Sequence, residues 1–206
     1  MPRSLFLFAV VYGGMTCIAG VLGNKQVALP GGLAVEAGIF AFLWLVMLSS
    51  AVAELHGRAV ADRLVRFGFV PLLVSMALIA LVLALPPSPK MEPERLAGFE
   101  LVLGQSGRLM AAGLIAYGVS QTLNVHLFSR MRGAGDGGAM LWLRGAVAGV
   151  LSQIVDTLLF ITIAFYGVFP IADLLIGQAL TKALLSALVV PPLIIGLVRL
   201  GRRLDA

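Results

Sequence analysis

With 206 residues, 60 % of them hydrophobic and only 12 % charged, the chain is too apolar and too poor in charge to cover a soluble surface; soluble domains hold about 45–50 % and about 25 %. The net charge of +5 does not mark a nucleic-acid surface, because the basic residues lie between apolar segments rather than in one patch. The composition indicates an all-α integral membrane protein in contact with the lipid bilayer, with residues 1–206 forming a single transmembrane domain.

Crossing a hydrocarbon core of about 30 Å takes about 20 helical residues. Six segments meet that length, near 5–23, 33–53, 67–85, 108–128, 140–166 and 171–198. The first holds Cys17; a single cysteine leaves no intramolecular disulfide and no cysteine metal cluster, and in an apolar helix it reads as packing. Arg3 before an apolar stretch also fits a signal peptide, but Gly14, Met15 and Thr16 make a poor cleavage site, so an uncleaved span is expected. Asn24 and Lys25 cap this span, and Pro30, Gly31 and Gly32 end the first connection. The second span has Glu36 near its outer surface and ends on Ser49, Ser50 and Glu54. The third stops at Pro86, Pro87 and Pro89.

The longest connection, Pro86 to Gly107, carries Glu92, Glu94 and Glu100. Its Phe99, Leu101, Val102 and Leu103 fit a short interfacial helix or lid, and equally an ordered connector. Gly133, Gly135, Gly137 and Gly138 mark the loop before the fifth span, and Gly167 with Pro170 a tight hairpin before the sixth. Gly13, Gly14, Gly20, Gly23, Gly145 and Gly149 permit close helix contact, which fits a compact bundle and leaves room for a homodimer.

Charge orients the bundle. Arg3, Arg58, Arg63, Arg66, Arg130, Arg132, Arg144, Arg199, Arg202 and Arg203 fall at the N-terminus, the second and fourth loops and the C-terminal tail, ten of the 15 basic residues. Only Lys25, Lys90, Arg95 and Arg108, four residues, fall on the other side. The positive-inside rule then places both termini in the cytoplasm. The expected location is the bacterial inner membrane.

The remaining base, Lys182, lies inside the sixth span. Ser152, Gln153, Asp156 and Thr157 sit mid-way in the fifth, and Ser120, Gln121, Asn124 and His126 near the end of the fourth. An ionised Asp at membrane depth costs about 2.5–3.5 kcal/mol on insertion scales, so it asks for a partner, a cavity or a ligand. Gln153 and Asp156 are three residues apart and share a helical face, and Lys182 is the expected partner for Asp156 or for another acid. Helix–helix clasps are the plain alternative for the amides and hydroxyls. His126 reads as a proton acceptor, a ligand contact or an ordinary interfacial histidine. Glu54 reads as a ligand group or an interfacial charge, Asn24 as facing a cavity, and Glu36 as an outer-surface residue.

There is no His-Glu-x-x-His helix, Gly-x-Ser-x-Gly elbow or P-loop lysine, so neither an enzyme, a metal site nor a cofactor is expected, and ATP-driven transport by this chain alone is excluded.

Several stretches resemble the VUT family of queuosine-precursor transporters. Tyr117 to Arg132, YGVSQTLNVHLFSRMR, is similar to that family's Ala-Tyr-x-x-x-Gln-x-x-Asp-Val-x-x-Phe-x-x-x-Arg segment. Leu151 to Phe165, LSQIVDTLLFITIAF, resembles its Ser-Gln-x-x-Asp-Thr-x-x-Phe-x-x-x-Ala-Phe signature. Gly23, Asn24 and Lys25, Val35 to Phe40, Glu54 with Gly57, and Lys182 also match. Ser49 and Ser50 stand where the family has Thr-Asp, Asn124 where Asp is common and Ala41 where Pro is common. The two missing acids bear on proton coupling more than on the fold.

The resemblance implies import of 7-deazaguanines such as 7-cyano-7-deazaguanine or 7-aminomethyl-7-deazaguanine. The residues suit a guanine edge. Asp156 would accept from N1 and N2, while Gln121, Gln153 or Asn124 serve O6 and the ring nitrogens. Phe160, Tyr117, Phe42 and Trp44 are candidates for a flat slot, and Asn24, Ser50, Glu54, His126 and Lys182 complete the candidate set. Two further readings stand beside this small-molecule transporter: a substrate-binding component of an energy-coupling-factor-like system, and a membrane assembly protein whose polar residues are only clasps.

Overall fold

The computed structural model describes residues 1–28, 34–105, 107–132, 140–168 and 170–206. Its elements are α1 (Arg3–Leu22), the strands β1 (Gln26–Ala28) and β2 (Ala34–Glu36), α2 (Gly38–His56), α3 (Arg58–Ala84), α4 (Pro93–Leu103), α5 (Gly107–Arg130), α6 (Leu141–Phe165) and α7 (Ala172–Asp205).

The helical membrane architecture follows from composition, and burial shows how it is layered. Among the described residues five helices are long and apolar enough to cross a bilayer: α1, α2, α3, α6 and Leu174–Asp205 of α7. Within its most apolar stretch α2 is 72 % buried, whereas α1 is 17 % and α3 only 6 %. All three are apolar on every face, so burial separates the central helix from those that face lipid. The expected fourth span, α5, matches them in length with 24 residues. Gln121, Asn124 and His126 dilute its hydropathy, and it stands outside that set of five.

Polar contacts fix the two ends of the bundle. At one end the Ser4 backbone N–H and hydroxyl donate to the Asp205 carboxylate at 3.0 and 2.5 Å, and Ser4 Oγ lies 2.8 Å from His56 Nε2. Both chain termini therefore share one end, with the close of α2. At the other end the Gln105 amide donates to Gly20 O at 2.9 Å and the Asn24 amide to Val102 O at 3.0 Å. Arg108 there donates to Ile163 O and Tyr166 O, each at 2.6 Å.

Several boundaries differ from the sequence expectation. The second span starts at Gly38 rather than 33, because Ala34–Glu36 pairs antiparallel with Gln26–Ala28. Short β-branched pairs flanking a Pro-Gly-Gly run make a hairpin that a hydropathy window absorbs into the span. The third helix begins at Arg58, nine residues early, because Gly57 adopts φ 85° and turns the chain within one residue. The last runs on to Asp205. The outer connector does contain a helix, α4, with no buried residue. The loop glycines at 31–32 and 133–138, with Pro30, lie outside the described residues.

Close approach of α1 to α2 depends on Gly38. A Cβ there would stand 2.8 Å from the Ala19 carbonyl oxygen and 3.3 Å from Gly23 Cα, both backbone atoms that cannot step aside. Gly38→Val is expected to destabilise the bundle by about 1–3 kcal/mol, read as a lowered unfolding temperature of the purified protein in detergent.

Candidate functional site

A cavity of about 600 Å³ occupies the half of the bundle away from the termini. Its walls are the second half of α1, the start of α2, the second half of α3, the first half of α5 and the second half of α6, with the hairpin and the end of α4 at its mouth. The surface is mainly apolar, with Phe42, Tyr117 and Phe160 supplying aromatic faces. Tyr117 is held firmly: its hydroxyl lies 3.0 Å from that of Tyr12 and donates to Val65 O at 3.1 Å, and the Phe69 ring meets its ring edge-on at 4.8 Å. Trp44, the fourth aromatic candidate, is 41 % exposed on the outside of α2 and does not line the cavity.

Asp156 and Lys182 reach the cavity from α6 and α7. Lys182 Nζ donates to Asp156 Oδ2 at 3.5 Å and Ser120 Oγ donates to Oδ1 at 3.3 Å, and both ionic side chains are over nine-tenths buried. The pairing expected from the sequence is present. Asn24 also lines the cavity, near Gln26 and Gln105.

The other sequence candidates lie elsewhere. The Asn124 amide donates to Ser49 Oγ and Ser50 Oγ at 3.1 Å each, and Ser49 Oγ donates to Gln121 Oε1 at 3.3 Å. This is a clasp between α2 and α5, on the terminal side of the cavity. Gln153 is fully buried on α6, and neither its carbonyl nor its amide nitrogen has a hydrogen-bond partner among the described residues. His126 is half-buried and outside the cavity.

Glu54 closes the terminal end. Its carboxylate pairs with Arg144 at 3.0 Å and with Arg132 at 3.8 Å. Arg144 is the largest fully buried side chain. Its Nε donates to Phe128 O at 3.1 Å and its guanidinium covers the Phe128 ring 4.3 Å from the centroid. The sequence counted Arg144 among loop charges; the structure instead sets it inside the bundle at the first turn of α6, tying α2, α5 and α6 together. An arginine within an otherwise apolar helix was the available signal.

The second residue that sequence reasoning set aside is Glu36. It lines the cavity, with Lys182 and Asp156 as its charged neighbours. Its placement follows from the hairpin, which hydropathy did not reveal.

The profile of the family described as "Putative vitamin uptake transporter" matches residues 36–196. A Bacillus subtilis (strain 168) protein named "Probable queuosine precursor transporter" is 29 % identical over 158 residues, covering 77 % of this chain and 68 % of the relative. No solved structure matches the chain.

Breaking a buried pair strands a charge and costs about 3–5 kcal/mol, whereas replacing both members is far milder. Lys182→Met is therefore expected to lower the unfolding temperature strongly, and the double variant Asp156→Asn with Lys182→Met to recover most of it. Differential scanning fluorimetry in detergent reads both.

Proposed function

The chain belongs to the family of putative vitamin uptake transporters, and on that premise we propose that it imports 7-deazaguanines, the cyano or aminomethyl base, across the bacterial inner membrane for queuosine modification of tRNA. It is a multi-pass membrane protein of a transporter family. The observation that carries the substrate reading is the Asp156–Lys182 pair in a mainly apolar, aromatic-faced cavity. Such a site suits a flat, small base with a few polar edges. The name of the Bacillus subtilis relative supports the same class.

In this reading Asp156 accepts from N1 and N2 of the base, Lys182 and Ser120 hold the carboxylate in place, and Phe42, Tyr117 and Phe160 flank the ring. Gln153, one turn from Asp156 on the same face and without a partner among the described residues, receives the adjoining O6 as the site deepens. Gln121, Asn124 and Ser50 serve first as the clasp between α2 and α5. Glu54 with Arg144 seals the side opposite the cavity, and parting that seal would complete alternating access.

The topology belongs to the proposal as well. The chain forms one transmembrane unit of six spans, with α5 as the fourth because it turns its amides inward. Both termini face the cytoplasm, as the arginine-rich end requires.

Uptake tests the function. In a strain lacking both precursor synthesis and its own transporter, expression of the chain with either base supplied at nanomolar concentration is expected to restore queuosine in tRNA. Asp156→Asn, verified as inserted and folded, is expected to abolish it. Absence of queuosine with inserted wild-type protein would refute the substrate assignment.

Topology is read separately. In a Cys17→Ala background, Ser88→Cys should react with a membrane-impermeant maleimide in intact spheroplasts, and Ala206→Cys only after permeabilisation. The opposite pattern would invert the orientation.

A further inference from the structure

Among the described residues three charged side chains line the cavity, the acids Glu36 and Asp156 and the base Lys182, and every other described lining residue is uncharged. Two acids against one base give this described lining a formal charge of −1. Asp156 and Lys182 compensate each other at 3.5 Å. Glu36 forms no salt bridge among the described residues.

The hairpin fixes where that carboxylate points. In its register Gln26 opposes Glu36 and Val27 opposes Val35. Opposed residues share a face and successive residues alternate, so Gln26 and Glu36 line the cavity together while Val35 is fully buried in the core. Turning Glu36 away would drag Val35 out of the core. The ladder continues through Ala37 N–H to Lys25 O at 2.8 Å, directly before α2 begins. Glu36 is thus an acid held at the cavity wall.

From this charge balance we infer that Glu36 is the specificity-determining residue of the cavity, and that it selects a base bearing a primary ammonium over an uncharged one. This rests on the deazaguanine reading above. An uncharged occupant would displace water from the Glu36 carboxylate and give nothing back, whereas one ammonium restores neutrality and supplies up to three donors. In the aminomethyl base the ammonium lies across the ring system from the N1–N2 edge. A base held by Asp156 through that edge presents its cation to a second acid on another element, and Glu36, a charged neighbour of the Asp156–Lys182 pair, is the carboxylate the described lining offers. The cyano base places a neutral acceptor there, which a carboxylate does not favour.

The test is binding to purified full-length protein in lipid nanodiscs by isothermal titration calorimetry, with the aminomethyl, cyano and 7-methyl bases as ligands. The aminomethyl base is expected to bind at least about tenfold more tightly than the other two, the range of one charged hydrogen bond. Glu36→Gln should collapse that ratio toward one by weakening the amine most, and Glu36→Asp should keep part of it. Equal affinity of the wild type for all three bases, or an unchanged ratio in Glu36→Gln, overturns the inference and leaves the deazaguanine reading intact. Binding of none of the three by folded wild-type protein overturns both. Should Glu36→Gln fail to fold, the wild-type ratio of aminomethyl to 7-methyl base decides alone, because those two differ only by the ammonium.

Discussion

Inside a bilayer no water is at hand to satisfy a polar side chain, so each must find its partner within the bundle. The Asp156–Lys182 pair is where this constraint is most severe. Its members come from α6 and α7, and Ser120 from α5 adds a donor to the same carboxylate. Three helices therefore share one charge pair, and sliding any of them along its axis would strand an ion in apolar surroundings. Close packing of α6 on α7 around Gly145 and Gly149 maintains the same register below the pair.

The remaining polar residues divide the bundle into two unlike halves. On the terminal side, Ser49, Ser50, Gln121 and Asn124 hydrogen-bond one another between α2 and α5, and Glu54 is matched by Arg144 and Arg132. The clasp uses part of their hydrogen-bonding capacity, with Gln121 Nε2 and Asn124 Oδ1 left without a hydrogen-bond partner among the described residues. On the far side, small and aliphatic residues of α1, α3 and α5 stand apart around the cavity, and polar groups appear singly at its wall. A filled half and a half that holds the cavity make the asymmetry that the proposed alternating access asks of one of its states.

Much of this was legible in the sequence, and for physical reasons. Apolar length fixes where helices cross lipid, and an acid and a base at membrane depth must meet, so Asp156 and Lys182 could be paired before any coordinates. Residues whose role depends on backbone geometry were harder to read. Glu36 looked like an outer-surface charge because a hydropathy window merges Val35 with the helix that follows, and only strand register reveals its face. Arg144 looked like a loop charge because the positive-inside pattern counts arginines without asking what they touch. The amides of Gln121 and Asn124 have types that suit ligand binding, and only the structure shows that Ser49 and Ser50 stand within hydrogen-bonding reach of them.

Two acids, Glu36 and Glu54, stand at the two ends of one helix. Glu36 stands just before α2 and Glu54 in its last turn, some 27 Å apart at about 1.5 Å per residue. Between them α2 is the most buried helix of the bundle, its faces filled by α1, α3, α5 and α7. A close-packed helix with no proline or kink inside it transmits displacement as a rigid body. In the proposed transport cycle, parting Glu54 from Arg144 at one end would be felt by the hairpin at the other, because Ala37 N–H ties the start of α2 to Lys25 O. The charge at the cavity wall and the charge in the seal are two ends of one rod.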